Sequence, residues 1–208
     1  MDESSAIPFP PGAFARVDED DDALFYLPPR LVTHIDEGAI AALTTFYAEV
    51  IPPGGTVLDL MSSWVSHLPA QLPLGEVIGH GMNETELAAN PRLTRRFVQD
   101  LNLEPALPLA DASLDAALCC VSVQYLQRPI EVFAEVRRAL KPGAPFVVSY
   151  SNRRFPTKAV AIWRSLDFRQ HAGLIHHYFN GAGFAEMAVK VLANGMHGDP
   201  LAAVIGRA

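Results

Sequence analysis

Polar residues that could contact a ligand follow five short apolar segments of the sequence. These segments end near residues 60, 81, 101, 121 and 151. In open α/β sheets, ligands bind in the crevice beyond the carboxyl ends of the parallel strands. The sequence therefore predicts one shared site, and its polar candidates include Ser62, Ser63, Trp64, Asn83, Tyr125 and Asn152.

A basic cluster follows the fifth apolar segment and opens a predicted helix. It reads Asn152-Arg-Arg-Phe-Pro-Thr-Lys158. The helix macrodipole opposes cations at a helix N-terminus. An anionic group of a substrate would explain their position, and we expect Asn152, Arg153 and Arg154 to bind it, with Lys158 as a further candidate. The alternative is that these cations are solvated or paired with surface acids.

Two histidines and a tyrosine have both a chemical and a structural interpretation. His34 lies two residues before Asp36, so the pair could form an oriented general base, or His34 could lie on a helix surface. His80 falls inside a predicted strand, which favours a hydrogen-bonded core histidine. Tyr125 either faces an acceptor or packs under a covering segment.

The elements that must position these residues alternate between short apolar runs and helical patterns, which indicates a mostly parallel sheet. Helices are predicted over 31–50, over 129–140 and twice within 156–182. Strands are predicted over residues 56–60, 76–81, 97–101, 115–121, 145–151, 186–192 and 201–207. The fold class is thus α/β, a Rossmann-like seven-stranded sheet with an antiparallel last strand.

Composition and charge restrict the class of protein. The 208 residues are 50% hydrophobic and 19% charged, which is typical of one globular domain. Seven acids and one arginine within residues 1–22 account for most of the net charge of −7, so the remainder is nearly neutral and no nucleic-acid partner is expected. We expect residues 1–30 to be a flexible acidic, proline-rich segment and residues 31–208 to form the domain.

The two cysteines, Cys119 and Cys120, are adjacent. Neighbouring strand residues point to opposite faces, so a disulfide would be strained, and the spacing does not fit a zinc site. No metal is therefore expected. No apolar run reaches about 18 residues, so no membrane contact is expected and a cytoplasmic location is the default.

Three motifs in order carry a resemblance to a known family. Leu107-Pro-Leu-Ala-Asp-Ala-Ser-Leu-Asp115 precedes a buried strand, Glu135-Val-Arg-Arg-Ala-Leu-Lys-Pro-Gly143 follows it, and Ala182-Gly-Phe184 precedes the final hairpin. Together they resemble the class I S-adenosylmethionine-dependent methyltransferases, in particular type 11. The resemblance implies S-adenosylmethionine as cofactor, a small-molecule acceptor, and residues 31–50 as a lid helix near Tyr26 and His34.

The same resemblance implies roles for the residues around the crevice. Asp100 and Leu101 match the adenine-edge position, Met82 the adenine face, and Cys120 with Val121 the lining of the methionyl part. The first loop corresponds to Asp59, Met61, Ser62, Ser63 and Trp64. Tyr125, His34 and Tyr26 are the catalytic candidates.

Two positions depart from the family pattern. The loop Met61-Ser-Ser-Trp-Val65 has no glycine, although close backbone approach favours a residue without Cβ. Gly81 stands where the family usually has a ribose-binding acid, and Asn83 is a possible neutral replacement. Ser62 and Ser63 would donate hydroxyls at a helix N-terminus. Two functions remain open: methyl transfer to a small molecule, preferably acidic, or a non-catalytic or differently liganded binding protein.

Overall fold

A computed structural model describes residues 9–208, and its centre is one seven-stranded sheet. The strand order is β3-β2-β1-β4-β5-β7-β6. The strands are β1 Val57–Leu60, β2 Val77–Gly81, β3 Arg95–Val98, β4 Ala116–Cys120, β5 Pro145–Ser151, β6 Ala185–Ala193 and β7 Leu201–Arg207. The predicted seven-stranded α/β architecture is confirmed.

The pairing directions bring the carboxyl ends of five parallel strands to one edge. β1 pairs in parallel with β2 and β4, β3 extends the parallel part, and β5 pairs in parallel with β4. β7 is antiparallel to both β5 and β6. The central strands β1, β4 and β5 are almost wholly buried, because helices cover both faces of the sheet.

In the part of the chain that the structure describes, six α-helices surround the sheet. They are α1 Asp22–Tyr26, α2 Glu37–Val50, α3 Glu84–Ala89, α4 Pro129–Ala139, α5 Ala161–Ser165 and α6 Phe168–Gly181. On one face, Phe133 of α4 and Phe179 of α6 pack with Phe146 of β5. On the other face, Leu43 and Tyr47 of α2 are fully buried. Among residues 9–208, none of these helices is long and apolar enough to cross a membrane.

Three local predictions differ from the structure. The first long helix begins at Glu37 and not at residue 31, because the Asp36 side chain caps it by accepting from the Ala39 N–H. The third strand spans 95–98 rather than 97–101, on the exposed side of the sheet. Residues 61–76 contain no helix, so the expected helix N-terminus behind Ser62 and Ser63 is wrong.

The structure describes part of the N-terminal segment, whose flexibility stays a prediction. Residues 9–30 lie against the domain, and α1 forms within them. Lys158 is fully buried, with its Nζ 3.0 Å from an Asp22 carboxylate oxygen and 3.2 Å from one of Asp18. Arg16 pairs with the same Asp22 at 2.6 Å. The two ion pairs of Lys158 attach the segment to the domain, while residues 1–8 of that prediction lie outside the described residues.

Candidate functional site

A cavity of about 590 Å³ lies at the carboxyl ends of β1, β2 and β4, beneath residues 22–36. All site residues predicted from the sequence line it, with the exceptions of Asn152 and Lys158. The lining residues that were predicted are Tyr26, His34, Asp59, Met61, Ser62, Ser63, Trp64, Gly81, Met82, Asn83, Asp100, Leu101, Cys120, Val121, Tyr125, Arg153 and Arg154. The cavity volume is within the range of about 300–1,000 Å³ that is usual for small-molecule sites.

Two strand ends in the cavity floor adopt left-handed backbone conformations. Met61, directly after β1, has φ 55°, and Val121, directly after β4, has φ 49°. Such conformations cost non-glycine residues about 1–3 kcal/mol each and often occur at ligand-binding sites. The loop without glycine therefore still takes the kind of turn that glycine favours.

The loop after β1 is held by its own polar groups. The Ser62 hydroxyl donates to Asp59 at 2.6 Å, and the Ser63 hydroxyl donates to Glu86 at 2.5 Å. The Ser62 N–H donates to the backbone oxygen of His80 at 2.6 Å. Both hydroxyls are therefore engaged within the protein, in contrast to the prediction that they would face a ligand as free donors.

Steric contacts explain why residue 81 is a glycine. A Cβ atom there would lie 2.6 Å from the Ser62 carbonyl oxygen and 3.2 Å from Leu87. An acidic side chain at this position would require the loop after β1 to move. The missing acid and the altered loop are thus two consequences of one packing arrangement.

Asp59 is a buried carboxyl group in the cavity wall. Burial raises its pKa to about 6, and hydrogen bonds from Ser62 and Ser66 oppose this rise. Asp59 therefore changes between its protonated and ionised forms around pH 6, and a cationic ligand group would favour the carboxylate.

The residues expected near an adenine ring lie after β2 and β3. Asp100 accepts from the Asn102 N–H at 2.8 Å, which forms a turn that carries the buried Leu101. Met82 lines the cavity directly after β2. The structure brings these three residues to the same cavity, and their assignment to adenine stays a prediction.

The N-terminal segment forms the roof of the cavity through hydrogen bonds to its rim. The Asn83 side chain caps α3 and donates to the carbonyl groups of Tyr26 and Leu27, at 2.8 and 3.0 Å. The Trp64 indole N–H donates to the Val32 carbonyl at 2.9 Å. Asn83 is therefore occupied by the roof, so its expected role as a ribose partner would require the roof to move.

The proposed His34–Asp36 pair does not form. Asp36 accepts from the Ala39 and Asp199 N–H groups, whereas the His34 ring packs edge-on against Phe155 with 5.6 Å between ring centroids. Partial burial lowers the pKa of His34, opposed by Glu86 and assisted by Arg30. His34 is thus a neutral imidazole at the cavity wall, without an orienting carboxylate.

The two phenol groups near the cavity are neutral. Burial raises the pKa of Tyr125, and its hydroxyl oxygen accepts from the Phe155 N–H at 2.8 Å. Burial also raises the pKa of Tyr26, and the neighbouring Tyr125 and Asp22 add to the rise. Each phenol retains its proton, so it can act as a hydrogen-bond donor.

The basic cluster after β5 divides into separate roles. Arg153 pairs with Asp199 at 2.8 Å, while Lys158 is buried in the N-terminal ion cluster and cannot meet a substrate. Asn152 is exposed and does not line the cavity, and its binding role stays a prediction. Arg154 lines the cavity, and within residues 9–208 its side chain has no ion pair or hydrogen bond.

Sequence reasoning missed Arg30, Glu86 and Asp199 among the lining residues. Glu86 accepts the Arg30 N–H at 2.7 Å and thereby joins the roof to α3. An asparagine followed three residues later by glutamate is a signature of a helix start, and Asn83-Glu-Thr-Glu86 has this pattern. Arg30 and Asp199 have no comparable local signal. Within residues 9–208, no cluster of side chains is suited to hold a metal ion.

Comparison with known proteins gives partial matches. Residues 62–148 match the family model described as a methyltransferase domain. An uncharacterized methyltransferase of Mycobacterium bovis is 33% identical over 116 residues, 54% of this chain and 39% of the relative. A malonyl-[acyl-carrier protein] O-methyltransferase of a Marinomonas species is 31% identical over 72 residues, 35% of this chain and 26% of the relative. The chain thus spans less than half the length of these relatives.

Solved structures share the fold at low sequence identity. An S-adenosylmethionine-dependent methyltransferase from Mesorhizobium loti has a TM-score of 0.56 at 18% identity, covering 81% of this chain and 98% of its own. The [4+2]-cyclase SpnF has a TM-score of 0.61 at 16% identity, covering 86% and 88%. The fold, the motifs and the matched domain agree. The chain therefore has the fold of class I S-adenosylmethionine-dependent methyltransferases, and its residues 62–148 match a methyltransferase domain.

Proposed function

We propose that this protein transfers a methyl group from S-adenosylmethionine to a small acidic molecule bound in the cavity. The observation that carries the proposal is the cavity itself. It lies at the strand ends where α/β folds bind ligands, and nearly all residues that the resemblance implied contribute to its wall.

The residues present fit an adenosyl ligand with an amino-acid end. Met82, Asp100 and Leu101 would hold the adenine, and Asp59 would face the ammonium group from the floor. A ribose acid cannot occupy position 81, but Glu86 supplies a carboxylate in the same wall, one turn into α3. A carboxylate that accepts from a hydroxyl group contributes about 1.5–3 kcal/mol.

The bound cofactor would supply a methyl group activated on a sulfonium. The task of the protein is then to align the acceptor and to exclude water. A carboxylate acceptor is already ionised near neutral pH, so it needs no general base. The neutral phenols of Tyr26 and Tyr125 would then orient the acceptor by donating hydrogen bonds.

Charge at the cavity supports an acidic acceptor. Arg154 lines the cavity and has no ion partner within the described chain, and the Arg30 guanidinium lies over the Phe25 and Phe155 rings. The similar Marinomonas protein is named for O-methylation of malonyl-[acyl-carrier protein], an acidic acceptor. Guanidinium groups bind carboxylates by charge-assisted hydrogen bonds.

Two measurements test this proposal in sequence. Calorimetric titration of the full chain with S-adenosylmethionine and S-adenosylhomocysteine should give micromolar dissociation constants. Methyl transfer is then measured with carboxylic acids and with their neutral amides. Arg154→Gln should raise KM for the acids by about tenfold, with cofactor affinity unchanged. Arg169→Gln removes the same charge from an exposed position outside the cavity and should change neither value.

The results separate the two parts of the proposal. Equal turnover of acids and amides, or no effect of Arg154→Gln, would contradict the acidic acceptor. No cofactor binding up to about a millimolar, a free energy of only about −4 kcal/mol, would contradict methyl transfer itself.

The second candidate is a binding protein, or an enzyme of other chemistry, in the same fold. It is favoured by the loop after β1, which lacks both glycine and a following helix, and by the similarity to a protein named as a [4+2]-cyclase. Mass spectrometry of the purified protein discriminates the two. A co-purified ligand without an adenosyl group would support this candidate.

A further inference from the structure

His80 stands out among the buried polar residues because its ring joins three strand ends beneath the cavity. Its side chain is 1% exposed, and the ring lies on β2 between the ends of β1 and β3. The Met61 N–H donates to the ring Nδ1 at 3.1 Å. The ring Nε2 lies 2.9 Å from the Gln99 carbonyl oxygen.

These two contacts fix the protonation of the ring. A carbonyl oxygen can only accept, so Nε2 must carry the hydrogen, and a backbone N–H can only donate, so Nδ1 must be unprotonated. The neutral Nε2–H tautomer is therefore the one form that satisfies both partners. Burial lowers the pKa of His80 to about 4, which keeps this form at neutral pH.

The position of the ring matters because of the residue it contacts. Met61 has the left-handed φ of 55°, and the backbone pairing of β1 with β2 ends two residues earlier, at Asp59 and Gly79. The N–H of Met61 lies beyond these last paired residues, and its acceptor is a side chain and not a backbone carbonyl group. The backbone oxygen of His80 also accepts the next N–H, that of Ser62.

We propose that His80 is a positioning residue for the ligand loop, whose ring clamps the glycine-free turn after β1 by accepting from the Met61 N–H. A glycine would populate the left-handed conformation without help, whereas methionine needs an external partner to stay there. The clamp in turn fixes the Ser62 and Ser63 groups that contact Asp59 and Glu86. Its effect on cofactor affinity rests on the proposed function, but the clamp itself does not.

A double-mutant cycle between positions 61 and 80 tests the clamp. His80→Phe keeps an aromatic ring but removes both hydrogen-bonding nitrogens. In the Met61 background it should weaken S-adenosylmethionine binding by about tenfold, the loss expected for one buried hydrogen bond. In the Met61→Gly background the loss should be about twofold or less, since glycine holds the turn unaided and about a twofold remainder is within the usual error of such cycles. Equal losses in both backgrounds would overturn the proposal.

Two further measurements separate a clamp from a simple core contact. His80→Gln provides one acceptor and one donor at similar reach, so it should recover part of the affinity that His80→Phe loses. Nitrogen-15 spectra of the ligand-free wild-type protein should show an unprotonated Nδ1 coupled to the Met61 amide. A protonated Nδ1 would overturn the clamp even if the Phe variant fails to fold. If the wild-type protein binds no S-adenosylmethionine, the proposed function fails while these spectra and the same cycle in thermal unfolding still decide the clamp.

Discussion

The floor and the roof of the cavity are built on different principles. The floor consists of strand ends, and backbone pairing over β1, β2 and β4 fixes where each one lies. The roof consists of residues 22–36, which contain only one short helix before the α2 cap and are attached by side-chain hydrogen bonds and ion pairs.

The difference shows where ligand entry can occur. Disrupting the floor would break sheet pairing that holds the whole domain together, whereas the roof could be released by breaking a few polar contacts. The apolar side chains of Leu24, Leu27, Leu31 and Val32 are more than half exposed on this roof, so they add little burial to its attachment. Local stability should therefore be lower in the roof than in the floor.

The largest expected effect comes from removing the buried lysine that anchors the roof. Lys158→Met should lower the free energy of unfolding by about 3–5 kcal/mol, because Asp18 loses its ion-pair partner and the buried Asp22 keeps only Arg16. Urea unfolding measures this loss. Lys190→Met breaks the half-exposed pair with Glu49 and should cost about 1 kcal/mol or less. Equal losses in the two variants would contradict a roof anchored by buried charge.

The next effect tests the floor through the pH dependence of Asp59. Its pKa is raised to about 6, so the folded state binds this proton more tightly than the unfolded state does. Asp59 therefore costs no stability below about pH 4, and its cost grows as the pH rises towards 6, to about 3 kcal/mol. Asp59→Asn should remove that cost.

The measurement is the difference in unfolding free energy between wild type and Asp59→Asn from pH 4 to 7. It should shift in favour of the variant as the pH rises, whereas Asp20→Asn reports the loss of one surface charge. A difference that is constant with pH would show that burial in the floor does not raise the pKa of Asp59.

The smallest expected effect tests whether the roof is attached separately from the rest of the domain. Asn83→Ser keeps a residue that caps α3 but removes the amide that donates to Tyr26 and Leu27. Stability should fall by only about 1–2 kcal/mol, while amide hydrogen exchange in residues 22–36 should accelerate. Asn180→Ser makes the same change on the exposed side of α6 and should leave roof exchange unchanged. Uniform acceleration across the domain by Asn83→Ser would contradict a separately attached roof.

Much of the fold could be predicted from the sequence because its signals are local. The continuous apolar runs gave all seven strands within a few residues, and the Lys141-Pro142-Gly143 stop marked the end of α4. The N-terminal boundary of α2 was misplaced because apolar spacing continued through residues 31–35, while the cap at Asp36 decided where the helix starts. A helix was wrongly expected after β1, because that prediction rested on the family resemblance and not on a helical pattern in residues 61–76.

The site residues likewise include some that local sequence signals predicted and some that they did not. Residues at the strand ends were identified correctly as neighbours, because parallel pairing brings every carboxyl end to one edge. Lys158 was misjudged, since no local pattern links it to acids about 140 positions earlier in the chain. Asn83 was expected to bind the ligand, but its side-chain amide donates to the roof. Asp36 was expected to orient a general base, but its carboxylate caps α2.

The sequence by itself determined the α/β class, the strand order along the chain and the family motifs, since hydrophobic period and turn residues act over short distances. Only the tertiary structure decided that residues 22–36 close the cavity, that position 81 must be glycine, and that His80 supports Met61. These features depend on atoms brought together from distant parts of the chain, and no local pattern specifies such contacts.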